Sequence, residues 1–194
     1  MKIERLAALG GVIGPAAFVG AWSGAGIAAR NYSAVDDAIS RLAEIGASTR
    51  PAMTAGFIVF GVGVPVYSQA LRAALDGPAW TTALATGIAT LAVAAAPLDA
   101  HGQSTLHGCF AVAGYLTLAA TPLLASRSFA RAGRTTWARL SLAAGIASGA
   151  CLLATVAGPA HGLFQRVGLG VVDVWIVATA LEMLRNGRLV PERT

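Results

Sequence analysis

Six apolar runs, each close to the length that crosses a bilayer, constrain this chain more than any other feature. They lie at roughly 6–28, 51–73, 79–98, 107–126, 137–158 and 164–184. About 20 predominantly apolar residues are needed to cross a hydrocarbon core as a helix. The third run is the weakest, because Pro97 and Asp99 crowd its end. Only 12% of residues are charged, against about 25% in a soluble domain, and those charges cluster between the runs. Glycine and alanine dominate the runs, which suits close packing of membrane helices. A β-barrel would show ten-residue segments of alternating polarity, and none is visible. The expected fold is therefore all-α. It is a single domain over residues 1–194, an integral membrane bundle of six transmembrane helices.

The first run is longer than the apolar core of a signal peptide, so a retained helix is expected. With six crossings both chain ends share a face. That face collects Lys2, Arg5, Arg72, Arg127, Arg131, Arg134, Arg139, Arg185, Arg188 and Arg193. The other receives only Arg30, Arg41, Arg50 and Arg166. Positive charge concentrates on cytoplasmic loops. This predicts a multi-pass protein of the inner, or plasma, membrane with both termini in the cytoplasm. The net charge of +5 thus reflects topology. With no basic stripe or binding motif, nucleic acid is not an expected partner. Membrane lipids are expected partners, and Gly/Ala-rich helices also suit a homo-oligomer or another membrane subunit.

The first outer connection carries its own pattern. In YSAVDDAISRLAEIGA, Val35, Ile39, Leu42 and Ile45 recur at helical spacing. Ser33 with Asp36 approximates a capping box, Gly46 is a natural stop, and Pro51 suits the first turn of the next span. A short amphipathic helix on the outer surface is predicted between helices 1 and 2.

Polar groups gather in a few places. PLDAHGQSTLHG holds Asp99, His101 and His107 in the outer turn between spans three and four, and His161 falls in the turn before span six. Gln165 and Arg166 follow it, and Asp37 lies in the first outer segment. Asp173 sits inside span six, on nearly the same helix face as Arg166 and about 10 Å along the axis. An intramembrane acid costs on the order of 3 kcal/mol, faces the bundle interior and takes a partner. A functional cation or proton and a hydrogen bond from Thr90 or Thr155 are equally compatible with its position.

Three stretches, YSAVDDAISRLAEIGASTRPAMTAGFIVFG, APLDAHGQSTLHGCFAVAG and HGLFQRVGLG, resemble in order the bacterial membrane family catalogued as domain of unknown function 998. The resemblance implies a compact bundle of about six helices and no established activity. Its matching polar positions are Tyr32, Ser33, Asp37, Ser40, Asp99, His107, Gln165 and Arg166.

Three functional readings follow. In the first, an outer-facing polar site of Asp99, His107, Arg166, Asp173, Asp37 and Gln165 binds a lipid head group or small ligand, or transports one. Arg166 would hold the anionic group. In the second, His101, His107, His161 and Asp99 bind zinc for a membrane hydrolase acting on a lipid, although no HExxH or other strong metal signature is present. In the third, the polar cluster only closes the bundle of a structural or partner subunit, with Arg166 paired to Asp99 or Asp37. No nucleophile elbow is present. Cys109 and Cys151 read as small buried hydrophobes.

Overall fold

The computed structural model describes residues 2–190; Arg193, one of the basic residues assigned to the terminal face, lies outside them. The regular structure of the described residues is all helical: α1 (Lys2–Ala7), α2 (Gly10–Ala28), α3 (Arg50–Ala74), α4 (Ala79–Ala95), α5 (Thr105–Arg131), α6 (Thr135–Ala157) and α7 (His161–Asn186), with a 3-10 turn at Ile39–Ala43. Among the described residues five helices are long and apolar enough to cross a membrane: Ile3–Ala28, which joins α1 to α2, then α3, α5, α6 (Thr135–Val156) and α7. α4 is apolar but has 17 residues, about 26 Å of helix. It stops before the predicted end at 98 because Pro97 disfavours helical backbone at the residue before it. Ala96 accordingly leaves the helical region, at φ −116° and ψ 72°.

Consecutive helices pack in antiparallel neighbours from α2 to α7, and α7 returns to α2, closing a ring. α7 also touches α3 and α5 across the ring. Membrane helices gain little from apolar burial against one another, so close approach depends on small residues. Gly63 of α3 shows this against α2: a Cβ there would stand 2.8 Å from the Gly10 carbonyl oxygen and 3.0 Å from Gly14 Cα. The inward face of α3 runs Met53, Phe57, Phe60, Val64, Tyr67, Leu71 and Ala74, all buried, at alternating steps of three and four. Hydroxyls reinforce the contacts between helices. Tyr67 meets Thr179 of α7 at 2.6 Å, and the Trp175 indole N–H donates to Ser141 of α6 at 2.8 Å. Thr86 with Thr117 and Thr82 with Thr121 join α4 to α5 at 2.9 Å each.

The two chain ends meet at one end of the bundle. Arg5 donates to the carbonyls of Leu184 and Arg185, and Leu189 N–H to Ala74. Arg134 pairs with Glu182 at 3.2 Å there. The basic stretch between the fourth and fifth apolar runs is mostly helix; only residues 132–134 separate α5 from α6, with Gly133 at φ 72°.

The opposite end gathers the 29–49 segment, the 96–104 loop and the start of α7. Ile45 N–H donates to Leu98, and Leu163 N–H to Val35. The predicted amphipathic surface helix is not what forms here. The local cap does form: Asp36 N–H donates to Ser33 Oγ at 3.2 Å, and Ser33 N–H to Asp37 Oδ2 at 2.8 Å. The helix then fails at Ala38, which is extended at ψ 147°. The cause is tertiary: side chains of α7 take the backbone groups that a helix would have paired, as described below. Ile39, Leu42 and Ala43 are buried in the 3-10 turn, while Val35 and Ile45 stay exposed. The segment is therefore a strap set into the mouth of the ring.

Candidate functional site

The face of α7 that receives this strap is written Gly162, Gln165, Arg166, spaced three and four residues apart. Gly162 lets the backbones meet. A Cβ at this position would stand 3.0 Å from the Ala34 carbonyl oxygen and 3.0 Å from an Arg166 guanidinium nitrogen. Gln165 Oε1 accepts from Ile39 N–H at 2.8 Å, and its amide nitrogen donates to the Tyr115 hydroxyl of α5. Arg166 is 8% exposed. One of its terminal nitrogens donates to the carbonyls of Ala34 (2.8 Å), Asp37 (3.1 Å) and Gly162 (2.8 Å), and the other donates to the Tyr32 hydroxyl. Its guanidinium carbon lies 5.4 Å from the Trp22 ring centroid and 5.5 Å from that of Tyr32. Burial raises the Tyr32 pKa, while the adjacent guanidinium opposes the shift.

The expected ion pairs of Arg166 with Asp37 or Asp99 do not form. Asp37 offers Arg166 its backbone carbonyl and gives its carboxylate to Arg41, at 3.3 Å, and to Ser33 N–H. Asp99 is exposed and organises its own loop. Its Oδ1 accepts from the backbone N–H groups of His101 (2.8 Å) and Gln103 (2.9 Å). These two bonds, Gln103 first, hold its pKa below the ordinary carboxylate value.

The zinc set is likewise dispersed. His101 and His161 are exposed, on the loop and at the start of α7, whereas His107 is 5% exposed and turned into the bundle. No three His, Cys, Asp or Glu side chains converge among the described residues. The four residues fall at one end of the bundle because two separate turns carry them, the 96–104 loop running into α5 and the turn before α7. Asp99 and His107 spend their polar groups within the first of these turns.

A different set of predicted residues does converge, deeper than expected. His107, Gln165 and Asp173 line a cavity of about 60 Å³ inside the ring, together with Ser40 of the strap. Ser104 caps α5 by accepting from His107 N–H, and His107 Nδ1 lies 2.8 Å from the Ala96 carbonyl oxygen. A carbonyl only accepts, so Nδ1 carries the proton and Nε2 is the free ring nitrogen. Asp173 is 4% exposed, and neither carboxylate oxygen has a hydrogen-bond partner. Thr90, one of its expected partners, lines the same cavity but donates to the Thr86 carbonyl. Thr155, the other, donates to Leu152. The remaining walls are apolar and rich in aromatic rings: Phe18, Phe57, Phe60, Phe110 and Tyr115. Phe18 packs on Phe57 and Phe60 at centroid distances of 5.7 and 5.2 Å. The sequence does not single out these rings as site residues, because within an apolar run an aromatic side chain carries no mark of which face it occupies.

Fold and site together describe an all-helical protein with several apolar helices long enough to cross a membrane and an internal cavity beneath a strap. The chain belongs to the family described as Protein of unknown function (DUF998), which matches residues 12–182. No curated protein and no solved structure matches the chain.

Proposed function

We propose that this is a six-span protein of the inner membrane, with both termini cytoplasmic, that binds a small ligand in the cavity between α2, α3, α4, α5 and α7, beneath the 29–49 strap. The orientation rests on the excess of arginine at the end where the termini meet. Exposed apolar side chains such as Leu116, Ile146, Leu153 and Val174 suit contact with lipid tails.

The observation that carries the ligand reading is Asp173. A buried polar group without a partner costs about 1–3 kcal/mol, and more if charged. An acid within a membrane span is a functional hypothesis by default. Both its oxygens are unpartnered, and the residue lines a cavity together with His107, Thr86 and Thr90. The head-group reading that used Arg166 loses its anchor, because both terminal nitrogens of that residue are occupied by the chain itself.

Native mass spectrometry of protein extracted in mild detergent tests the reading. The wild-type chain is expected to retain a small non-covalent adduct that Asp173→Leu loses. Identical spectra for the two proteins, free of any adduct, would overturn it. A green fluorescent fusion at the C-terminus, expected to fluoresce inside the cell, tests the orientation.

A further inference from the structure

We propose that the cavity receives a small organic ammonium ion, its nitrogen at Asp173 and its apolar stem among the aromatic rings; this rests on the reading of the cavity as a ligand site.

The charge argument comes first. The cavity lining contains one carboxyl group and neither lysine nor arginine. The cation on the same helix, Arg166, is held by three carbonyls and Tyr32 at the strap. A ligand anion would meet an unpaired carboxylate in a medium where charges are poorly screened. A ligand cation would supply the partner that the chain does not.

The walls then select the kind of cation. A hard metal ion takes six or more oxygen ligands, and no group of three metal-ligating side chains exists among the described residues. Aromatic faces instead attract ammonium groups through the ring quadrupole. Phe18, Phe57, Phe60, Phe110 and Tyr115 all border this space. A primary ammonium has three N–H donors. Asp173, the free nitrogen of His107 and the hydroxyl oxygens of Thr86 and Thr90 are the acceptor types on offer. A polyhydroxylated neutral ligand would find too few partners on a wall this apolar. A cavity of about 60 Å³ limits the ligand to a head group with a short stem.

The test uses the full chain purified in mild detergent at neutral pH. Thermal unfolding is followed during titration with n-butylammonium chloride, with n-butanol as the neutral analogue and sodium chloride as the salt control. The expected result is a saturable rise in Tm with butylammonium alone. Asp173→Asn, which removes an unpartnered carboxyl and is expected to fold, should weaken that response at least about tenfold, as loss of a charge-assisted hydrogen bond does. Phe60→Leu should weaken it by a smaller factor. Equal rises with butanol and butylammonium would overturn charge selection while leaving the cavity a ligand site. No rise with either compound, together with identical adduct-free native mass spectra for wild type and Asp173→Leu, would overturn both readings. A butylammonium response unchanged in Asp173→Asn would place any ammonium site elsewhere and overturn the inference alone.

Discussion

Arg166 and Asp173 stand two turns apart on one face of α7, both buried and both ionisable, yet their surroundings are opposite. The terminal nitrogens of the arginine meet three backbone carbonyls and a phenol oxygen, and its guanidinium lies against two rings; only Nε lacks a partner. The aspartate meets no donor at all. A buried polar group gains about 0.5–1.5 kcal/mol net when paired and costs more when stranded. The two side chains therefore contribute with opposite sign to the stability of the same helix. At the strap end paired groups hold the fold together, and the cavity end carries a carboxyl with neither oxygen paired. That difference separates a structural polar cluster from a candidate binding site, although both would be described as buried charge.

The largest effect is expected where the strap is clamped. Arg166→Ala leaves the Ala34, Asp37 and Gly162 carbonyls and the Tyr32 hydroxyl without their donor, and should destabilise the protein by about 3 kcal/mol or more. Arg166→Lys should recover little, because one ammonium cannot span both the carbonyls and the phenol. Gly162→Ala should approach the same loss by forcing the strap off α7, since the atoms that its Cβ meets include backbone carbonyls. Thermal unfolding, with limited proteolysis within residues 29–49, measures both. A wild-type melting curve for Arg166→Ala would erase the contrast with Asp173.

The second effect has the reverse sign. Asp173→Leu, without ligand, should raise stability by about 1–3 kcal/mol, the cost of the stranded carboxyl. A fall of similar size would show that the carboxyl is paired in the native protein. Between these lies Tyr115→Phe, which frees only the amide nitrogen of Gln165 while Ile39 keeps its acceptor. A loss of about 1 kcal/mol is expected there, seen as a lowered Tm with the strap still protected from protease.

These contrasts also show what the linear chain can reveal. The helices were legible because their apolar runs are long and their breakers explicit; Pro51 falls in the first turn of α3. Gln165, Arg166 and Asp173 were legible as unusual residues, since polar groups stand out in an apolar run. Their partners were not. Arg166 is neutralised by backbone carbonyls, which every residue possesses, so no sequence pattern distinguishes those of Ala34 and Asp37. The strap departs from its local pattern for the same reason: its periodicity and cap suit a helix, but Gln165 claims the Ile39 N–H that a helix would use internally. The histidines illustrate the converse. Their placing on one side of the membrane suggested a metal centre, whereas His101 sits on a solvent-facing turn and His107 lies in the first turn of α5, turned inward.

The smallest effect belongs to Asp99, and it sharpens the comparison because this carboxylate is exposed and paired. Its folded-state pKa lies below the ordinary value, since the ionised form accepts the N–H groups of Gln103 and His101. The unfolded chain therefore holds its proton more readily, and ionisation favours the folded loop. That contribution is complete above about pH 4 and is lost as pH falls through the lowered pKa. Amide exchange at His101 and Gln103 should accordingly accelerate as pH drops below 4, relative to its intrinsic rate, while the core of α7 stays protected. Asp99→Ala should produce the same local acceleration at neutral pH with little change in Tm. If instead Asp99→Ala lowered Tm as far as Arg166→Ala, the 96–104 loop would be part of the clamp, and the line drawn here between self-contained turn and strapped bundle would have to move.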